Sequence, residues 1–412
     1  MAVSYDGLWR VLSKRRISAS DLRKYTGIAP NTMTKLRRNE DVSLSVLGKI
    51  CDFLECDYGD IVNYVSDESQ TDNELSSFSI NNRRFLGNKF KLLPFISEVV
   101  KRHCGDIASF ADIFSGTGSV ASAFTDKQLI TNDILYSSFI CNYAWFSGQN
   151  YDKSKVIRLI TQYNEVPVSE DNYMTINFSD TYFSRTDCAK IGFIREDIER
   201  LYVECKINER EKAILIMSLI YAMDKIANTC GHYDAYIQGA VFSKNLTLAL
   251  PNVNFVNNPL NRCYNEDANE LVTHIYADLI YIDPPYNSRQ YCDAYHLLEN
   301  IARWEKPEVF GVARKMDRTL MKSKYCTQSA ESAFRELVER IDAKYILFSY
   351  NNMSNKGNER SNAKMSDESI MDILGSRGTV QVFEESYKAF STGKSDIKDN
   401  AERLFLCKVK GR

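Results

Sequence analysis

The run Leu279-Ile-Tyr-Ile-Asp283-Pro284-Pro285-Tyr286-Asn287 sets an acid, two prolines and an aromatic ring directly behind an apolar stretch. Consecutive prolines lack backbone donors, so strand pairing ends there and the turn is stiff. Pro284 keeps its carbonyl. A carboxylate beside a fixed carbonyl makes two acceptors, matched to the two hydrogens of an exocyclic amine. Tyr286 adds a face on which a planar base can stack, worth roughly 1–3 kcal/mol by analogy with single-strand binders. An ordinary strand-ending turn is the alternative, but this four-residue string arises by chance in well under about 1% of chains of such length. Asp283, Pro284, Pro285 and Tyr286 are therefore the catalytic candidates.

A second constellation lies upstream, in Ala111-Asp112-Ile-Phe114-Ser-Gly116-Thr-Gly118-Ser-Val120. It follows one strand-like run and precedes a helical one. Gly116 and Gly118 allow a tight turn whose backbone N–H groups approach a ligand closely. No Lys follows the glycines, so this is not a P-loop. Seventeen positions after Gly116 comes Asp133, at the end of the next apolar run. An acid there is placed for ribose hydroxyls, or for capping a helix that starts at Ile134.

The elements that must position these residues alternate strand-like and helical runs, which argues for an α/β sheet. Strands are predicted over Ile107–Phe114, Gln128–Asn132, Leu279–Ile282, Tyr345–Ser349, Thr379–Glu384 and Arg403–Lys408. Residues from about 145 to 250 carry long helical patterns instead, and are predicted to form a helical insertion. Residues 66–79 are polar, acidic and Ser-rich, the composition of a linker. The predicted domains are thus 1–65, a linker over 66–80, and 81–412.

The first 65 residues are predicted to be all helix. Leu8, Trp9 and Leu12 make one apolar stripe; Ser18 and Asp21 make a cap; Leu22 and Tyr25 continue to Gly27, which ends that helix. Ile28-Ala29-Pro30 turns the chain into Asn31–Arg38, and a last helix carries Leu44, Leu47, Ile50 and Cys51 on one face. A helix, a short turn containing Gly, then a helix bearing Asn31, Thr32, Thr34, Lys35, Arg37 and Arg38 suits entry into a DNA major groove. Polar side chains there meet base edges and basic ones meet phosphates. This unit resembles the Cro/phage-repressor helix-turn-helix family. A helical bundle for protein contact is the alternative, and 10 basic against 8 acidic residues do not decide between them.

Composition sets the outer limits. The chain has 412 residues, 44% hydrophobic and 26% charged, with a net charge of -2. Such a composition excludes wholesale disorder and a basic nucleic-acid coat, but not a local basic face. Eleven scattered cysteines without a Cys-x-x-Cys pair argue against zinc ribbons and for a reducing compartment. No apolar run is long enough to span a membrane and no secretory leader is expected, so the cytoplasm is the predicted location. His103, His232, His274 and His296 lie outside the motifs, and neither metal nor membrane partners are expected.

The large unit resembles the S-adenosylmethionine-dependent adenine-N6 DNA methyltransferases, in the Dam-like arrangement where cofactor motifs precede the catalytic one. The resemblance covers about residues 83–410. Arg84-Phe85-Leu-Gly87-Asn88-Lys89 looks like the opening motif that lies over the cofactor. Asp112-Ile-Phe114-Ser-Gly116-Thr-Gly118 looks like the methionine-side loop, and Asn132-Asp133-Ile134 like the ribose-binding segment. Asn265-Glu266-Asp267-Ala268 looks like the motif that meets the cofactor's adenine, Asp283-Pro284-Pro285-Tyr286 like the catalytic one, and Tyr345–Asn352 like the strand walling the base pocket. The resemblance implies an S-adenosylmethionine-dependent (Rossmann-like) α/β methyltransferase sheet with a helical target-recognition insertion behind a small all-α domain. It also implies double-stranded DNA as substrate, and a restriction–modification setting with a cognate endonuclease acting separately.

Other chemistries fit less well. Cytosine-C5 methylation needs a Cys nucleophile, and no Pro-Cys pair occurs here. Cytosine-N4 methylation uses the same amine geometry and stays open. So does a DNA-binding regulator on an inactive methyltransferase fold. Basic runs over Arg83–Arg102 and Arg314–Lys324 are phosphate-contact candidates, with solvated helix faces as the alternative.

Overall fold

A computed structural model describes residues 2–411 apart from positions 16, 38, 39, 66–79, 81, 82, 84, 255, 287, 352–363 and 387–400. The expectations placed on Arg38, the 66–79 linker, Arg84, Asn287 and Asn352 lie outside the described residues. The chain divides into two compact units, Met1–Ser77 and Phe78–Arg412.

The first unit holds helices α1 (Asp6–Arg15), α2 (Ala19–Thr26), α3 (Pro30–Arg37), α4 (Leu44–Leu54) and α5 (Tyr58–Ile61). Ser18 and Asp21 form a reciprocal capping box at the start of α2. Gly27 ends that helix at φ 66°, its N–H bonded to the Arg23 carbonyl. Leu8, Leu12, Leu22, Met33, Leu36, Leu47, Ile50 and Leu54 share one core. The unit is not all helix: β1 (Ala2–Ser4) pairs antiparallel with β2 (Asn63–Val65). Three-residue strands are too short to show a period of two, which is why the pattern missed them. Leu44 also departs from expectation. It is 73% exposed at the first turn of α4, where the apolar face has not yet met the core.

The second unit is built on seven strands: β3 (Ser109–Asp112), β4 (Gln128–Asn132), β5 (Arg262–Tyr264), β6 (Ala277–Ile282), β7 (Ala343–Asn351), β8 (Gly378–Ser386) and β9 (Ala401–Val409). Their order is β5-β4-β3-β6-β7-β9-β8, and β9 runs antiparallel to both neighbours. The pairs β5–β4, β4–β3, β3–β6 and β6–β7 are parallel. From β3 the chain moves outward to β4 and β5, then returns to β6 on the other side. That makes the β3–β6 boundary a topological switch point, and its carboxyl edge a crevice for ligands.

Both faces of the sheet are covered, so its central strands are apolar throughout. Every residue of β3 and of β6 is buried. One face packs Phe110, Leu279, Tyr281 and Leu347 against α6 (Leu93–His103), α7 (Tyr136–Phe146), α8 (Lys153–Glu165), α9 (Tyr173–Phe178), α10 (Arg185–Val203) and α11 (Glu209–Ile226). The other packs Ala111, Ile280, Ile282 and Phe348 against α12 (Ala268–Leu271), α15 (Ala330–Arg340) and α16 (Asp367–Gly375). α13 (Tyr291–Ala294) and α14 (His296–Arg303) join the first of these faces, through Ala294, Leu297, Leu298 and Ile301. The predicted helical insertion holds α8 to α11, and it shares a core with the sheet rather than forming a lobe of its own. α11 is buried on nearly every side, with Ile214, Leu215, Ile216 and Met217 all at 0% exposure.

Candidate active site

Local hydrogen bonds fold the β3 and β4 loops together at the switch point. Ser115 donates from both N–H and Oγ to the Asn132 carbonyl, at 2.9 and 3.0 Å. The Gly116 N–H donates to Asp133 Oδ2 at 2.8 Å, and Leu135 N–H to Asp133 Oδ1 at 2.8 Å. Asp133 thus ties one loop to the other and still has lone pairs free. Gly116 and Gly118 both have positive φ, 49° and 77°. A side-chain carbon on Gly118 would lie 2.6 Å from Asn142 Oδ1 and 2.8 Å from the Phe146 ring, so this glycine lets α7 approach the turn.

The cleft so formed encloses about 830 Å³, its open mouth included. Eleven of the cofactor candidates line it: Phe85, Gly87, Asn88, Lys89, Asp112, Phe114, Gly116, Asp133, Ile134, Ala268 and Asp283. Gly118 and Asp267 do not; Asp267 caps α12 by accepting from the Asn269 N–H at 2.8 Å. Of the catalytic candidates Asp283 and Pro285 line the cleft, while Pro284 and Tyr286 lie outside its wall. Tyr286 stands edge-on to Tyr350, ring centroids 5.6 Å apart. Motif reasoning did not single out Tyr281, Gln290, Tyr291, Met321 or Ser323, which also face the cleft, as does Cys292. Gln290 exchanges two hydrogen bonds with Ser323, pinning the 318–324 segment to the rim. Only their fall within a few residues of the Asp283 turn could have flagged Gln290 and Tyr291.

Phe85 is held from below, its ring stacked on Tyr295 at 4.3 Å, while Tyr295 Oη accepts from the Leu86 N–H at 2.7 Å. Five ionisable groups then gather at the floor, Lys89, Asp112, Asp133, Asp283 and Glu402. Lys89 Nζ stands 3.1 Å from Asp283 Oδ1 and 2.9 Å from Glu402 Oε1. Burial pushes Asp283 up to about 7, against the pull of Lys89 and with a further push from Glu402. Asp133 is likewise pushed up to about 7 by burial, against two backbone N–H bonds. Asp112, 1% exposed, is raised well above the carboxylate range by burial and by Asp283 and Asp133. Burial pulls Lys89 down, but Asp283 and Glu402 together hold it well above the ordinary lysine value. Cys292 is pushed up to about 11 by burial, so it stands as an unreactive thiol in the wall.

The two basic runs divide. Arg83 is buried against Asp224 and Lys89 against two acids, so neither is free for phosphate. In the second run Lys315 pairs with Asp234 and Arg318 with Asp293, while Arg314, Lys322 and Lys324 are exposed. On α3, Asn31, Thr34, Lys35 and Arg37 are exposed and Thr32 half-buried. Among the described residues no group of three His, Cys, Asp or Glu is arranged to hold a metal, and no helix is long and apolar enough to cross a membrane.

Comparison with known proteins adds the following. Residues 85–356 match the family model described as D12 class N6 adenine-specific DNA methyltransferase, and residues 7–67 that of the Cro/C1-type helix-turn-helix DNA-binding domain. The chain is 35% identical to type II methyltransferase M.FokI of Planomicrobium okeanokoites, over 78% of this chain and 51% of that protein. It is 32% identical to modification methylase LlaI of Lactococcus lactis subsp. lactis, over 78% of this chain and 53% of that protein. It is 30% identical to type II methyltransferase M.NlaIII of Neisseria lactamica, over 77% of this chain and 95% of that protein. The chain therefore spans about half the length of the first two relatives and nearly all of the third.

Proposed function

The chain belongs to the D12 class N6 adenine-specific DNA methyltransferase family, and from that membership we propose that it methylates N6 of an adenine in double-stranded DNA, using S-adenosylmethionine. We place it in the cytoplasm, as the modification partner of a separately acting restriction endonuclease. The observation that carries this reading is the meeting of Asp283, the Gly116 turn and two further acids in one cleft at the switch point of the sheet. The adenine specificity of the family disfavours cytosine N4 as the acceptor.

The residues present fit the cofactor. Asp112 Oδ1 has no hydrogen-bond partner among the described residues, so one buried acceptor awaits a donor. Asp112, Asp133 and Asp283 face a single lysine in the wall, and a bound cation would favour the charged forms that burial disfavours. Asp112 and the Gly116 turn would hold the methionine end, Asp133 the ribose hydroxyls, and Phe85, Ile134 and Ala268 the adenine ring. When bound, S-adenosylmethionine supplies an electrophilic methyl group on a sulfonium.

Adenine N6 is a weak nucleophile because its lone pair is delocalised into the ring. Asp283 and the Pro284 carbonyl accept the two amine hydrogens and favour a pyramidal nitrogen with its lone pair directed outward. Positioning and electrostatics supply most of the rate. A carboxylate near neutrality is suited to take the proton that the nitrogen loses as the methyl arrives. The base must first leave the duplex stack, at a cost of a few kcal/mol, and stacking on Tyr286 offsets part of it.

The test is direct. Purified protein is incubated with unmethylated genomic DNA and labelled cofactor, and the product base and its sequence context are mapped. N6-methyladenine at one recurring context supports the proposal. N4-methylcytosine, or no transfer by a cofactor-bound protein, overturns it.

A further inference from the structure

Glu402 has no place in the chemistry above, yet it is one of the most constrained acids in the protein. It lies on β9, opposite Asn351 of β7 and Glu385 of β8, beyond the family match that ends at residue 356. Its side chain is 6% exposed, that of Lys89 5% and that of Asp283 13%. Ser349 Oγ donates to the same Glu402 oxygen that faces Lys89, at 2.9 Å. The Lys89 ammonium also lies 5.3 Å from the centre of the Tyr286 ring. One ammonium therefore touches the acid of the catalytic turn, faces its aromatic ring and meets a distant strand.

The charge count is the puzzle. Lys89 and Asp283 alone would form a neutral pair, the cheaper thing to bury. The added carboxylate leaves this dry cluster with a net negative charge.

We propose that Glu402 is a positioning residue for methyl transfer, holding Lys89 against the Asp283 turn and dividing the ammonium's charge between two acids. The inference rests on the methyl-transfer reading above. A lysine devoted wholly to Asp283 would make that carboxylate a poor proton acceptor. Shared with Glu402, it steadies Asp283 and leaves it basic. The step concerned is one proton transfer: an N–H bond of the methylated nitrogen breaks, its electron pair stays on nitrogen, and the proton joins the Asp283 carboxylate. Lys89 stays an ammonium throughout.

The other groups that face Asp283 are Asp112 on β3, Tyr281 on β6, Tyr286 in the turn and Tyr291 on α13. Tyr281 and Tyr291 are raised and stay neutral near pH 7, and Asp112, raised well above the carboxylate range in part by Asp283 itself, stays protonated there. Lys89 and Glu402 are thus the groups whose charges act on Asp283 with opposite sign.

Two substitutions separate this from a merely structural role, because they must act in opposite directions. Glu402→Gln keeps the size and the Ser349 contact but removes the charge. Full-length wild type, Glu402→Gln, Glu402→Asp and Lys89→Met are compared in single-turnover methylation of unmethylated genomic DNA across neutral pH. The acidic limb of the rate is expected to move down by about one unit in Glu402→Gln and up by about one to three in Lys89→Met. Glu402→Asp should return toward wild type. The Asp283 carboxyl is titrated in parallel, without DNA, by infrared difference against Asp283→Asn, and should follow the same order. A Glu402→Gln protein whose rate limb and carboxyl titration match wild type overturns the proposal, as does a shift of both variants in one direction. Absence of methylation by wild type would sink the methyl-transfer reading instead, and the infrared titration would still decide the role of Glu402.

Discussion

Asp283 combines burial with one shared cation, and its raised pKa gives a pH dependence of definite sign. In the proposed reaction the carboxylate accepts the amine hydrogens, so the active form is lost as pH falls through about 7. Below that point the single-turnover rate should drop about tenfold per pH unit. Asp283→Ala should lower the single-turnover rate by about 10²–10³-fold. Asp133 makes a separate prediction, about stability. Its carboxyl is raised from an ordinary value of about 3.9 to about 7 in the fold. The folded state therefore holds a proton that the unfolded chain has released, and stability contributed below about pH 4 is lost as pH rises through 7. Asp133→Asn should flatten that part of the melting-temperature profile. Legibility at this scale tracked local motifs. Asp283, Asp112 and Asp133 end strands whose apolar runs announce them. Lys89 was readable as a cleft residue but not as a bridge, because Glu402 belongs to no motif and meets it only through the pairing of β7 with β9.

Turns and strand ends decide how far such residues can be read ahead. β4 matches its predicted span and β3, β6, β7, β8 and β9 differ from theirs by a few residues at the ends, since buried central strands read as unbroken apolar runs. β5 escaped, because Arg262-Cys-Tyr264 is three residues long and only partly buried. The two glycines of the β3 loop read alike in the sequence but serve different neighbours. At Gly118 an added methyl meets Asn142 and Phe146, at Gly116 only the Phe85 ring at 3.4 Å. Gly118→Ala should therefore destabilise the fold by about 1–3 kcal/mol, measured by denaturant unfolding. Gly116→Ala should cost less stability and show itself in weaker cofactor binding.

For the whole molecule, the proposed function gives the two units separable modes of DNA contact. If α3 of the first unit meets a duplex, Lys35→Ala and Arg37→Ala should each weaken binding and reduce the salt slope by about one. Methylation by a chain starting at residue 80 should remain within about twofold of the full protein. Loss of methylation on that deletion would instead make the first unit part of target capture.

The bridge from Lys89 to Glu402 also has a meaning in time. These partners are separated by almost the whole second unit, and a chain emerging from the ribosome at about 5–20 residues per second makes one long before the other. Until β9 has been synthesised and inserted between β7 and β8, Lys89 has no second carboxylate and the sheet beside it is open. Contacts of such high sequence separation also form late in folding. The helix-turn-helix unit, by contrast, has all its strands and helices once residue 65 has emerged. On the proposed function, each new molecule would for an interval after translation begins engage DNA before it could modify it.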